Sequence, residues 1–284
     1  MILTAYRVEM SKIFSKWRTF IGFLALAVLI PIVVVGMSMQ GEQFFKFATA
    51  GLKDNFEFTG HLLNGYAVAY IIFSSLYLHV PFLITLVAGE VLAGEATAGT
   101  YRLLLTRPLS RATMVNAKYL STLTYTFLLV VCMAGLSLGL GIGFLGTGEV
   151  FIIRQQITIL QADDLMWRFG YAYAWAFLAM ATVSSVAFLC SSLVENAIGP
   201  IMTTMSIIIV MTIISAIDVP LFDYVRPLFF TNHMNSWKFF FDDPVRWDRI
   251  VPSFITLMLH IVGCFAAAHL IIRRKDILTR SAPC

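Results

Sequence analysis

Apolar residues gather into six long runs, near 19–39, 64–88, 119–145, 170–193, 197–217 and 252–272, with polar stretches between them. A helix needs about 20 apolar residues to cross the hydrocarbon core of a bilayer, so each run is long enough for one span. The pattern predicts an all-α, polytopic membrane protein with six transmembrane helices. The first run has the look of a signal peptide. No small-residue cleavage site follows Met39, however, and five more spans come after it, so it reads as a retained span. Ahead of it, Leu3, Tyr6, Met10, Ile13 and Trp17 recur at three- and four-residue steps, with Arg7, Lys12 and Lys16 largely off that stripe. That is the pattern of an amphipathic helix over 2–17, lying in the membrane interface.

Two polar stretches break the pattern in different ways. The segment 218–251 is rich in aromatics (Phe222, Phe229, Phe230, Trp237, Phe239, Phe240, Phe241, Trp247) but also carries Asp223, Arg226, Lys238, Asp242 and Asp243. Charges at mid-bilayer cost about 2.5–3.5 kcal/mol each, which argues against a seventh span. Short interfacial or re-entrant helices are expected there, with the aromatics at headgroup level. The insert 89–118 is charged and punctuated by Gly and Pro. Glu90 and Glu95 favour a short helix after the second span. Gly94 and Gly99 allow bends, Pro108 ends the segment, and Ser110 is placed to cap the helix leading into the third span.

Composition agrees with a membrane protein. The chain of 284 residues is 59% hydrophobic and 13% charged, and its mean hydropathy is +0.82. Soluble domains are closer to 45–50% apolar and about 25% charged. The net charge of +4 is modest and its basic residues are scattered, which argues against nucleic acid as a partner. Six spans put both termini on one side. The N-terminus (Arg7, Lys12, Lys16, Arg18), the insert (Arg102, Arg107, Arg111, Lys118) and the C-terminus (Arg273, Arg274, Lys275, Arg280) carry twelve basic residues, against eight on the other face. The positive-inside rule then places both termini and the insert in the cytoplasm.

Motifs for chemistry on the chain itself do not hold. Gly135-Leu136-Ser137-Leu138-Gly139 matches a hydrolase elbow, and Gly141-Ile142-Gly143-Phe144-Leu145-Gly146 a dinucleotide fingerprint, but neither follows a strand. Gly135, Gly139 and Gly143 are better read as one small-residue ridge for close helix packing. His79 and His260 lie deep in spans without metal-ligand spacing, and each is expected to be a neutral imidazole hydrogen-bonded to a neighbouring helix. The four cysteines have no metal or disulfide spacing. Glu195-Asn196 marks a tight turn between the fourth and fifth spans. No glycine is followed directly by lysine, so a G-x-x-x-x-G-K-[ST] phosphate loop is absent.

The succession Glu90, Gly94-Glu95, Gly99-Thr100, Leu103-Leu104, Arg107-Pro108, Ser110-Arg111, Lys118 resembles the signature of ABC type-2 permeases, the membrane subunits of ATP-binding-cassette exporters. The stretch from Phe230 to Trp237, Asp243-Pro244, and Arg273-Arg274-Lys275-Asp276-Ile277-Leu278 resemble the last external segment and tail of that family. The likeness covers the whole chain as one transmembrane domain. It implies a permease of a bacterial or archaeal cytoplasmic (inner) membrane, paired with a second copy or a sister permease among membrane lipid. The insert would be a coupling helix docked on a separate cytoplasmic ATPase subunit. ATP and Mg would bind that subunit and no cofactor this chain. Glu90, Glu95, Gly99, Thr100, Arg107, Pro108 and Arg111 would form the coupling site. Spans 2 and 5 would line the substrate path, with Ser74, Ser75, His79, Thr203, Thr204 and Thr212 as candidates. Alternatives are an ABC-type complex doing mechanical or regulatory work without translocation, and a stand-alone carrier or channel. The latter calls for paired intramembrane charges or inverted repeats.

Overall fold

Helix α1 (Ile2–Phe14) leads through a short bend into α2 (Trp17–Ala48). Helix α3 (Gly65–Ala88) continues through Gly89 into the short α4 (Glu90–Thr97), and α5 (Arg111–Leu145) returns. A two-stranded antiparallel hairpin, β1 (Val150–Ile153) and β2 (Ile157–Leu160), precedes α6 (Ala162–Leu193) and α7 (Ile198–Ala216). Two short helices, α8 (Pro220–Asp223) and α9 (Phe230–Met234), and 3₁₀ turns at Arg226–Leu228 and Asn235–Phe241 fill the stretch before α10 (Trp247–Arg274). The computed structural model describes residues 2–48, 63–99, 110–154, 157–217 and 219–274.

Helices α2, α3 with α4, α5, α6, α7 and α10 contain the six segments long and apolar enough to cross a membrane. The protein is all-α and polytopic, the hairpin excepted. Several helices outrun their apolar runs. α2 extends past Met39 to Ala48, and α6 starts at Ala162, well before residue 170. Hydropathy marks only the stretch that sits in hydrocarbon, while the backbone ladder continues into the polar ends. The apolar window of α6 is 78% buried inside the protein and that of α3 56%, against 17–28% for α2, α5, α7 and α10. Two core helices are thus ringed by four that leave much of their surface exposed, as lipid contact requires.

Contacts sort the connections into two ends. At one end lie α1, α4, the α6–α7 turn and the last turn of α10. Hydrogen bonds join α4 to α6 and the α6–α7 turn, and Arg111 Nη1 donates to the Arg273 carbonyl at 3.2 Å. At the other end lie the hairpin and the segment 219–246. Arg168, almost fully buried, donates to the backbone carbonyls of Phe240 and Asp242 at 2.7 and 2.8 Å. Arg154 reaches Asp242 at 2.9 Å.

Three expectations change here. First, Phe230, Trp237, Phe240 and Phe241 are buried within the protein rather than turned to the headgroup level. Trp237 meets Phe73 edge-to-face at 4.4 Å, with Tyr70 and Phe241 beside it. Such pairs contribute about 0.5–1.5 kcal/mol each beyond their buried area and pin this segment onto α3. Second, an added Cβ at Gly135, Gly139 or Gly143 would meet nothing within 4 Å, so that ridge makes no close helix packing among the described residues. The close approach is between Gly65 of α3 and Gly141 of α5. A Cβ on Gly65 would lie 2.4 Å from the Gly141 carbonyl oxygen, and the Gly65 N–H donates to the Gly146 carbonyl at 2.9 Å. Third, His79 and His260 bond within their own helices, through Nδ1 to the carbonyls of Ser75 and Thr256, each at 2.8 Å. The i−4 carbonyl lies within reach of the ring, so no neighbouring helix is needed.

Candidate functional site

The backbone shapes the insert as its glycines suggested. Gly89 keeps helical angles, so α4 extends the line of α3. Gly99 takes φ +67°, the left-handed conformation that ends helices and suits glycine. The Ser110 hydroxyl accepts from the Thr113 N–H at 3.1 Å and starts α5. Thr100, Arg107 and Pro108 lie outside the described residues.

Glu90 and Glu95 make ion pairs within the chain. Glu95 Oε1 lies 2.7 Å from Lys118 Nζ and 2.8 Å from Lys12 Nζ. Glu9 completes the cluster, 2.7 Å from Lys118 and 2.7 Å from Lys12. Glu90 meets Lys16 at 3.1 Å and Arg18 at 3.3 Å. The Lys118 side chain is 1% exposed. Two acids and two bases therefore clasp α1, α4 and the start of α5 in a charge-balanced knot. This also alters the picture of α1. Its inward face centres on Glu9 and Ile13, whereas Leu3 and Trp17 of the expected apolar stripe are exposed. Tyr6 adds a hydrogen bond to Thr124 at 3.0 Å. The helix is fastened to protein by a buried acid that finds its base on α5. The signal available in the sequence was Glu9 itself, an acid one residue from Met10 and four from Ile13.

This knot has a pH signature. Burial alone would raise the Glu9 pKa, but Lys118 and then Lys12 outweigh it and hold it below the ordinary 4.5. For Lys12, burial lowers the pKa, and the bonds to Glu9 and Glu95 outweigh that and raise it above 10.5. A depressed carboxylate contributes stability that is present above its unfolded pKa and lost as pH falls through its folded pKa. A raised amine contributes stability lost only as pH rises through its folded value. Thermal stability of the purified chain is therefore expected to hold between about pH 5 and 10 and to fall below about pH 4.5. The Glu9→Gln variant should show a smaller acid loss.

A second set of bonds fixes α4 to the other side. No side chain caps its first turn locally. Ser191 of α6 does so instead: its hydroxyl accepts from the N–H groups of Leu92 and Ala93 at 3.2 and 2.9 Å and donates to the Gly89 carbonyl at 2.6 Å. The early N–H groups of a helix have no partner inside it, and here a neighbouring helix supplies one. Thr97 reaches the α6–α7 turn, sharing its proton between the Ala93 and Glu195 carbonyls, both at 2.9 Å, and accepting from Ala197 N–H at 3.0 Å. The far end of α4, at Thr97, Ala98 and Gly99, is exposed. Ser191→Ala should destabilise by about 1–3 kcal/mol, because it leaves buried N–H groups without a partner. Ser192→Ala, whose hydroxyl bonds its own helix through the Leu189 carbonyl, should change little. Heating each variant and measuring the folded fraction by size-exclusion chromatography checks both.

The expected path residues divide. Ser74 of α3 and Thr212 of α7 share a cavity of about 280 Å³ that also involves α9. Ser75 and His79 are exposed on α3 and Thr203 is exposed on α7, outside the residues that line the cavity. Thr204 is fully buried, near Cys190 of α6. Among the described residues, no cluster of three or more His, Cys, Asp or Glu side chains is placed to hold a metal ion.

A family model described as "ABC-2 family transporter protein" matches residues 4–236. The chain is 26% identical over 176 residues to "Uncharacterized protein YhcI" of Bacillus subtilis (strain 168). That alignment covers 60% of this chain and 56% of the relative, so the chain spans a little over half the length of the protein it matches. The family match takes in α1, the ion-paired insert, the first five spans and α9, and places this chain among the ABC-2 family transporter proteins, as a multi-pass membrane component of such a transporter.

Proposed function

We propose that the chain is the permease subunit of an ATP-binding-cassette exporter, and that α4 is its contact with a separate cytoplasmic ATPase subunit. Family members generally work with such a partner. The observation that carries the reading is the double fastening of α4, by ion pairs to α1 and α5 and by Ser191 and Thr97 to α6 and the α6–α7 turn, with its tip at Ala98 and Gly99 exposed. A push on that tip reaches α1, α5, α6 and the α6–α7 turn through short bonds rather than through a slack loop. Glu90 and Glu95 act here as positioning residues that brace the coupling helix. Gly99 and Arg111 flank the docking surface, and Thr100, Arg107 and Pro108, outside the described residues, are expected to contribute to it from the family resemblance.

The twelve basic residues of the termini and insert support a cytoplasmic placement of that end in a bacterial or archaeal inner membrane. ATP and Mg bind the partner, and two permeases, identical or sister, complete the path. Purification from the native membrane in lipid nanodiscs tests this. Recovery with an ATPase subunit, and ATP hydrolysis that Ser191→Ala weakens, is the expected result. Recovery of a functional chain without any ATPase contradicts it.

A further inference from the structure

Among the described residues, the cavity shared by α3, α7 and α9 is walled by uncharged groups. Its polar side chains are Ser74, Tyr77, Thr212, Ser215, Thr231, Asn232 and Asn235, with the Tyr77 hydroxyl already donating to the Met234 carbonyl, and Leu78, Pro81 and Ile208 provide an apolar wall. The Thr212 and Ser215 hydroxyls each donate to the carbonyl four residues earlier in α7, at 2.7 Å. What they present to the cavity is therefore acceptor lone pairs. Asn232 spends one amide proton on the Arg226 carbonyl at 2.7 Å. Thr231 is 7% exposed, and its Oγ1 is buried without a hydrogen-bond partner. A buried hydroxyl left unbonded is costly, and nearly all such groups in proteins have a partner. Thr231 lines the cavity, and a turn about its Cα–Cβ bond would bring this unbonded hydroxyl to a ligand there.

We infer that this cavity binds the uncharged, hydroxyl-bearing headgroup of an amphipathic molecule, a deepening that rests on reading the chain as a permease. Three features select that chemistry. The lone pairs of Thr212 and Ser215 call for a donor, and the free Thr231 hydroxyl serves donor or acceptor, so a hydroxyl group satisfies both. Among the described residues no acid or base lines the site, so a buried ammonium, carboxylate or phosphate would find no counter-charge from them. The volume of about 280 Å³ lies at the lower edge of the roughly 300–1,000 Å³ usual for ligand sites, enough for one sugar ring or a glycerol-sized group. The rest of the molecule must lie outside. Leu78 and Thr212 are exposed beside the cavity on apolar helix faces, where a tail can leave toward lipid or a paired permease. The lining runs from Leu78, Pro81 and Ile208 near the middle of α3 and α7 to Thr212 and Ser215 in the last turns of α7, so the cavity extends from mid-span toward the hairpin end of the protein.

Photolabelling of the full chain in phosphatidylcholine nanodiscs tests this without relying on ATP turnover, so its failure is separable from failure of the permease reading. The probe is n-octyl-β-D-glucoside carrying a diazirine in its tail, with labelled peptides mapped by mass spectrometry. Saturable labelling of peptides from α3, α7 or α9 is expected. Unlabelled octyl glucoside should compete at least about tenfold better than octyltrimethylammonium or octyl sulfate, which share its tail. Thr231→Val should weaken labelling about tenfold, roughly the loss of one hydrogen bond, while Thr231→Ser restores it. A neutral glycolipid that co-purifies with the wild type and is lost in Thr231→Val identifies the bilayer as the source. Saturable labelling without such a lipid identifies a solute. Absence of saturable labelling, equal competition by the charged amphiphiles, or unchanged labelling in a folded Thr231→Val chain overturns the proposal.

Discussion

Replacing Lys118 by methionine is expected to destabilise the chain by about 3–5 kcal/mol, the usual cost of removing one partner from a buried ion pair. The side chain is 1% exposed and lies 2.7 Å from both Glu9 and Glu95. Without it, two carboxylates share the α1–α4–α5 junction with the half-exposed Lys12 as the base that pairs with both among the described residues. The loss comes mainly from leaving buried charge unpaired, so removing charge on both sides should cost much less. Glu9→Gln combined with Lys118→Met is expected to recover a large part of the loss, because neutral residues carry no comparable desolvation penalty. Thermal unfolding of the single and double variants in one detergent checks the cycle. Additive losses would mean that the two side chains do not act as a pair. The same Lys118→Met chain should show ATP hydrolysis uncoupled from the permease even at temperatures where it stays folded, since α4 would lose its ion pair to α5 and keep only the half-exposed Lys12 link to α1.

Gly65→Ala carries the second large effect. Its Cβ would stand 2.4 Å from the carbonyl oxygen of Gly141 and 2.5 Å from the Ile142 nitrogen, and both are backbone atoms that no rotamer change can move. The helices must part, straining the Gly65–Gly146 backbone bond and the Asn64 bond to the Glu149 carbonyl. Overpacking usually costs about 1–3 kcal/mol, and a backbone clash belongs at or above the top of that range. Gly143→Ala is the matched control. Its Cβ meets nothing, and alanine favours a helix by about 1 kcal/mol over glycine, so that variant should be neutral or more stable.

What the sequence showed, and what it hid, follows from how far apart the partners lie along it. Local signals read correctly: the six spans from hydropathy, Ser110 as a helix cap, and Gly99 as a place for a bend, which the structure makes with a left-handed φ. Each needs only a few neighbouring residues. Lys118 and Glu9 are 109 positions apart, and a hydropathy scan weighs each charge singly. Lys118 therefore read as a basic flank, and Glu90 and Glu95 as contacts for another protein. Likewise a four-residue rhythm drew attention to Gly135, Gly139 and Gly143, while the true close approach joins single glycines from two helices. The aromatics around Trp237 look like membrane-surface residues in the sequence and are buried in the protein, because composition alone does not separate lipid contact from a protein core. Of the path candidates, Ser74 and Thr212 come together only because α3 and α7 pack side by side.

The central claim, that the tip of α4 meets an ATPase, has a direct measurement. A photo-crosslinking amino acid placed at Ala98 in the native membrane should capture a protein whose peptides include a G-x-x-x-x-G-K-[ST] loop. The same group at Phe144, exposed at the other end of α5, should capture none. Capture of that protein from Phe144 and not from Ala98 would contradict the account.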